Sequence, residues 1–261
     1  MPLAHLDTLD RFDAGAVTDR TVAILAVAAT EAHGPHLPVS TDCDIALGHL
    51  SALAPYLDDA LDVVVLPIER IGASDEHGRF AQTQSLPFAL LIARWFGIAR
   101  HFASLGGRRL VIVSSHGGNT PAVDAVILKA RAELDILAVG TAWMRFGFPE
   151  GLYPDRERKY GIHGGAIETA LMLHYRSDLV KCEAIADFPS RLEALQAGTR
   201  HLSGYGPHRF GWLSTDLNAA GVVGDAWLAD GEKGAIHADH ILKGFSELLD
   251  EVARFDLGWL K

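Results

Sequence analysis

Cysteine is nearly absent from this chain of 261 residues. The two that occur, Cys43 and Cys182, lie far apart and form no C-x-x-C pair. They read as two reduced thiols of a cytosolic protein rather than as a disulfide framework. Basic residues are also scarce. Lys and Arg total 23 against 33 Asp and Glu, a formal charge of -10, and no Lys/Arg run is concentrated anywhere. That balance argues against a nucleic-acid partner, because phosphates need a basic face. No stretch is long and apolar enough to span a bilayer, so no membrane partner is expected. The opening segment MPLAHLDTLDRFDAGAV carries acids early and lacks the apolar centre of a secretory leader, which points to a cytoplasmic location. No G-x-G-x-x-G follows the first strand-like run, which weakens a dinucleotide-binding reading. His116-Gly117-Gly118-Asn119 lacks the Lys-Ser/Thr ending of a phosphate loop.

What is present is an alternation of apolar strands and helices. Thr21–Ala29 (TVAILAVAA), Asp62–Ile68, Arg109–Ser115 and Ile136–Ala142 are short apolar runs rich in β-branched residues. Between and after them, helices are predicted over Asp44–Leu57, Pro87–Leu105, Asn119–Leu134, Gly165–Tyr175 and Glu232–Phe255. Pro87 and Pro121 sit where a first helical turn tolerates a missing N–H, and Gly106-Gly107 marks a stop. Leu202–Gly224, rich in Gly, Pro and aromatics, reads as an extended loop region or a subunit contact. Continuous apolar strands alternating with helices predict an α/β fold with a mostly parallel central sheet covered on both faces. No composition break suggests a linker, so residues 1–261 are expected to form a single domain.

Thirteen histidines are the compositional surplus, and several stand beside carboxylates and glycines. In open parallel sheets, ligands bind beyond the C-terminal ends of strands. Two polar clusters follow strands in this way. One is Thr30-Glu31-Ala32-His33-Gly34-Pro35-His36, continuing to Asp42; the other is His116-Gly117-Gly118-Asn119. Glu31 and His33 alternate, so an extended backbone points both the same way. Such a set of imidazoles and carboxylates suits a borderline divalent cation, which would activate water and polarise a carbonyl. The plainer readings are Asp42 or Asp44 as a helix N-cap, Asn119 as the cap of the next helix, and isolated histidines at strand ends.

At these residues the chain resembles the creatininase-like amidohydrolase family. TEAHGPHLPVSTD matches the family's E-x-H-G-P-H-L-P-x-x-T-D motif. SSHGGN is similar to the second motif, HGGAIETALML (His163–Leu173) to the third, and GVVGDAWLADGEKG (Gly221–Gly234) to the C-terminal signature. The resemblance implies a three-layer α/β/α sandwich, metal-dependent cleavage of a C–N bond in a small amide, and a homo-oligomer, often a hexamer in the family. Family activities include creatinine ring opening, deformylation of a pyrimidine nucleotide and trimming of a peptide precursor of a redox cofactor. It implies metal ligation by Glu31, His33, Asp42 and His116, with Asp42 bridging two ions, and proton movement by His163. One or two ions of zinc, manganese or iron are expected per subunit. A single-metal deformylase or peptidase is the rival enzyme reading, and a catalytically silent binding or assembly subunit the rival of another class.

The chain departs from creatininase proper at three places. A metal-binding glutamate two residues after the second-motif histidine is replaced by Gly118, which leaves Glu168 as the replacement carboxylate, for the metal or for catalysis. The tryptophan before the third motif is missing from Lys159-Tyr160-Gly161-Ile162. The F-P-G-T loop of many relatives reads Phe80-Ala81-Gln82-Thr83 after Glu76-His77-Gly78-Arg79. Creatinine is therefore not the expected substrate. For the substrate pocket, His36, His77, Arg79, Gly117, Gly118 and Trp143 are the candidates. Phe146 could stack beside Trp143, and His237 and His240 are expected to face solvent.

Overall fold

The computed structural model describes residues 4–5 and 17–260; most of the acidic opening segment lies outside them. Among the described residues, five parallel strands form the central sheet: β1 (Ala4–His5), β2 (Val22–Val27), β3 (Val63–Val65), β4 (Arg109–Ser114) and β5 (Leu137–Ala142). Their order is β1-β3-β2-β4-β5. β2 and β4 lie side by side with Val22 opposite Arg109 and Val27 opposite Ser114. Every residue of both strands is buried, which is why their sequences read as apolar runs without alternation.

The helices are α1 (Thr41–Ala52), α2 (Phe88–Ser104), α3 (Thr120–Leu134), α4 (Asp155–Tyr160), α5 (Ala166–Arg176), α6 (Arg191–Ala197), α7 (Ser214–Leu217) and α8 (Gly231–Arg254). Successive strand residues point to opposite faces. Ala23, Leu25 and Val27 therefore meet Trp95 and Phe102 of α2 and Val126 of α3. Val22, Ile24 and Ala26 meet Leu50 of α1 and Ile241, Phe245 and Leu249 of α8. The result is the expected three-layer α/β/α sandwich, with α5 packed outside α1 and α8.

Pro87 is the N-cap of α2 rather than its first residue, and Pro121 lies in the first turn of α3, as expected. The 202–224 segment is largely irregular but contains α7, and a small antiparallel pair, β6 (Asp187–Phe188) with β7 (Gly224–Asp225), has no counterpart in the sequence reading. The histidines of α8 do not face solvent as expected. His237 is fully buried, and its Nε2 donates to Gly147 O at 3.1 Å. His240 is partly buried and donates to Phe146 O at 3.0 Å. Both lie where α8 packs against the segment after β5, so their polar edges satisfy carbonyls that the packing cuts off from water.

The topology fixes where a ligand belongs. The loop after β2 leads to α1 on one face, while the loop after β4 leads to α3 on the other. The two loops part between adjacent strands, and such a switch point opens a crevice at the C-terminal edge of the sheet.

Candidate metal centre

Glu31 and His33 follow β2 at this crevice, His116 follows β4, and Glu76 and His77 come from the loop after β3. Asp42 lies in the first turn of α1, where a carboxylate is also favoured by the helix dipole. His163 precedes α5, and Glu168 stands in that helix's first turn. Glu31, His33 and Asp42 are 1 % exposed or less, and His116 and His163 are also buried.

The side chains converge on Glu31. Its Oε1 lies 3.2 Å from His116 Nδ1, 3.5 Å from His77 Nε2, 3.7 Å from His163 Nδ1 and 4.0 Å from His33 Nε2. Asp42 lies 3.9 Å from both His33 Nε2 and His116 Nδ1, and Glu168 Oε2 is 3.8 Å from His33 Nε2. The far nitrogen of three rings is spoken for. His33 Nδ1 donates to Glu31 O at 3.1 Å, His116 Nε2 to Ala73 O at 2.7 Å, and His163 Nε2 to Ala32 O at 2.9 Å. A backbone carbonyl behind each ring fixes its tautomer and leaves the lone pair of the other nitrogen aimed into the centre, as metal-ligating histidines require.

Among the described residues, the inward atoms find no hydrogen-bond partner. Both oxygens of Glu31, His33 Nε2 and Asp42 Oδ2 are buried without a hydrogen bond. An uncompensated carboxylate in such a place is costly. Its ionisation shows the conflict. Burial and then the charge of Glu31 push Asp42 well above the usual carboxylate range. Burial lowers His116, but Glu31, Asp42 and Glu76 outweigh it and lift the ring to about 10. Burial also raises Glu31, yet attraction to His116, His163 and His77 holds it well below its ordinary value. A divalent cation fits this donor set: it would replace the shared protons and satisfy the orphaned oxygens together. Among the described residues, three groups have their ligand atoms within 4.8 Å of one another: Glu31–Asp42–His116, His33–Asp42–Glu168 and Glu31–His33–His163.

The surroundings are built from the remaining motifs. Asn119 has no capping bond to α3; its side chain accepts from Ala73 N and donates to Ala28 O, each at 3.0 Å, and so ties the β3 loop to the end of β2. Val222 fits between the positive-φ turns at Gly34 and Gly164, where an added Cβ would come within 2.7 Å of its methyls. Val223 N donates to His163 O at 2.8 Å. Glu157, not singled out by sequence, is buried and accepts from Ala166 N at 2.6 Å and Asp225 N at 2.8 Å, pinning the start of α5 to β7.

The substrate candidates divide. His77 is buried beside the centre, its ring 4.1 Å from that of His163. Gly117 is exposed with open space around it, whereas Gly118 is crowded. Arg79 is exposed and donates to Thr215 Oγ1 at 3.1 Å. His36 does not line a pocket. It is fully buried and shares a hydrogen bond of 2.9 Å with Thr169 Oγ1, the neighbour of Glu168 in α5. Trp143 is 1 % exposed and packs edge-on against Phe245, with Phe146 on the same ring; both aromatics belong to the core between β5 and α8, not to a substrate face. Glu76, quoted only as part of a loop, reaches to 3.5 Å from His116 Nε2. An acid next to a histidine in the loop after β3 was the signal for it.

Buried carboxylates and tautomer-locked imidazoles gathered at the switch point of an α/β/α sandwich define a metal-dependent hydrolase. The family model described as creatininase, creatinine amidohydrolase, matches residues 8–249, and the chain belongs to the creatininase family. It is similar to the mycofactocin precursor peptide peptidase of Mycolicibacterium smegmatis, 29% identical over 80% of this chain and 78% of that protein. It is also 28% identical to the creatinine amidohydrolase of Pseudomonas putida, over 70% of this chain and 75% of that one. The crystal structure of a putative creatinine amidohydrolase from Bacteroides fragilis superposes with a TM-score of 0.75 at 25% identity, covering 97% of each chain.

Proposed function

We propose that this centre holds two divalent cations that share Asp42, and that the protein hydrolyses a carbon–nitrogen bond of a small amide. The observation that carries this is the membership of Asp42 in two ligand groups, with Glu31 and His116 on one side and His33 and Glu168 on the other. Each group then offers two carboxylates and one imidazole. The third group offers one carboxylate and two imidazoles, a poorer charge balance for a dication, and leaving it aside frees His163 for proton work. Imidazole and carboxylate donors suit zinc, manganese or iron; solved creatininases include a Zn–Zn type and an Mn form. When bound, such ions supply a Lewis acid and lower the pKa of water.

The chain's own residues do the rest. Because Ala32 O holds the Nε2 proton of His163, its Nδ1 is the free basic atom. Burial draws this ring down to about 4, so it is neutral at pH 7 and able to take a proton at Nδ1 and hand it to the leaving nitrogen. His77, drawn to about 2 chiefly by burial, stays neutral beside it and shapes the wall where substrate enters. The similarity to a peptide peptidase favours a second reading of the substrate as a short peptide rather than a cyclic amide. The assembly in this reading is a homo-oligomer; Trp227 at 69 % and Trp259 at 78 % exposure are apolar surface that copies of the chain would cover.

The test is metal content with turnover. Elemental analysis of protein loaded with zinc or manganese is expected to give two equivalents, and Asp42→Ala to lose both together with hydrolysis of a panel of cyclic amides, formamides and short peptides. An Asp42→Ala variant that keeps both ions refutes the shared-ligand assignment, and one ion in the wild type returns the single-metal reading.

A further inference from the structure

We infer that Glu76 is a positioning carboxylate for His116, brought to the ring by the glycine at 118. The inference rests on the two-cation reading. An ideal Cβ at Gly118 would lie 2.3 Å from Ala73 O, 2.3 Å from His116 Nε2 and 2.8 Å from Glu76 Oε1. No side chain fits there while the β3 loop is in place. The bare glycine lets that loop close over the Nε2 edge of the imidazole. Ala73 O accepts the ring proton at 2.7 Å, and Glu76 Oε1 lies beside the same N–H at 3.5 Å.

The loop is built to stay there. Ala73 N donates to Asn119 Oδ1 at 3.0 Å, Ser74 N donates to Ser85 Oγ at 2.9 Å, and Ser85 Oγ donates to Asp75 Oδ1 at 2.7 Å. The Glu76 side chain is 22 % exposed, well covered for an acid on a connecting loop. It belongs to none of the candidate ligand groups, so it acts through His116 and not on a cation directly. A negative charge at the Nε2 edge makes Nδ1, on the other side of the ring, a stronger donor toward a cation held with Glu31 and Asp42. The plain alternative is a loop carboxylate that happens to pass the ring.

Zinc titration of the full chain against a chromophoric chelator separates these. Wild type is expected to bind two equivalents. Glu76→Gln keeps the size and removes the charge; it should weaken one equivalent by about 10- to 100-fold and leave the other unchanged, with Glu76→Asp recovering part of the loss. Far-UV circular dichroism of each variant confirms that the fold is kept. Two equivalents of wild-type affinity in Glu76→Gln overturn the inference. So does complete loss of one equivalent equal to that of His116→Ala, which would make Glu76 a ligand. A wild type that takes up fewer than two zinc equivalents defeats the two-cation reading itself, whereas a two-zinc wild type with an indifferent Glu76→Gln defeats this inference alone.

Discussion

The rings of His163, His33 and His116 differ less in chemistry than in what stands behind them. Each donates one ring proton to a backbone carbonyl, and the direction of the remaining nitrogen decides its work. His163 Nδ1 faces Glu31 Oε1 at 3.7 Å but is not needed in either group that contains Asp42. His163→Gln is therefore expected to keep its bound metal and to lose turnover by about 10²- to 10⁴-fold, the range for removal of a general acid–base group. Metal analysis and kcat measured on the same preparation check this; loss of metal along with activity would move His163 into the ligand set. A motif in the sequence points to these residues, since Glu31 and His33 alternate after a strand and a Gly follows. It does not reveal the carbonyls, because Ala32 O and Ala73 O belong to residues with no chemistry of their own. For the same reason Trp143 and His36 read as pocket candidates: an aromatic or a histidine in the segment after a strand reads alike whether the packing turns it inward to α8 and α5, as here, or outward to substrate.

Among the elements, those legible beforehand are the ones whose pattern is set by burial on the sheet. β2 is apolar throughout and β4 is apolar from Leu110 to Val113 because both faces are covered, and α2 and α8 end within a residue or so of their expected limits. The pieces that escaped, α4, α6 and the β6–β7 pair, are short and are held by contacts distant in sequence, such as the Glu157 carboxylate on Asp225 N at 2.8 Å. Asn119 illustrates the same limit. Its position before α3 suggests a cap, yet its side chain instead joins β2 to the β3 loop. Asn119→Ala would leave Ala73 N and Ala28 O buried without those partners, and a buried polar group so orphaned costs about 1–3 kcal/mol. Urea unfolding is expected to show a loss of that order, and zinc affinity should fall as well because Ala73 O no longer backs His116. A variant as stable as wild type would mean that water or a shift of the loop replaces both bonds.

For the molecule as a whole, the histidines that the core keeps neutral set its response to acid. His49 of α1 is fully buried against Trp143 and hydrogen-bonded to Tyr175 Oη at 2.8 Å, and burial pulls it down to about 3. His237 of α8 is drawn down to about 4, again mainly by burial. In the unfolded chain both rings titrate near the ordinary value of about 6.5. Between that value and the folded ones, the unfolded state binds more protons than the native state, so stability rises with pH across this window. The contribution is whole above about pH 6.5 and drains away as pH falls toward 4, at up to about 1.4 kcal/mol per pH unit for each ring. Carboxylates titrate in part of the same range, so the informative quantity is the difference between variants. His49→Gln with His237→Gln, measured by urea unfolding after chelation at pH 7, 6 and 5, should start less stable at pH 7 because two packed rings are gone, and then lose less on acidification than wild type. Parallel pH profiles for the two proteins would show that neither ring is protonated on unfolding, and that acid acts on this fold through its carboxylates alone.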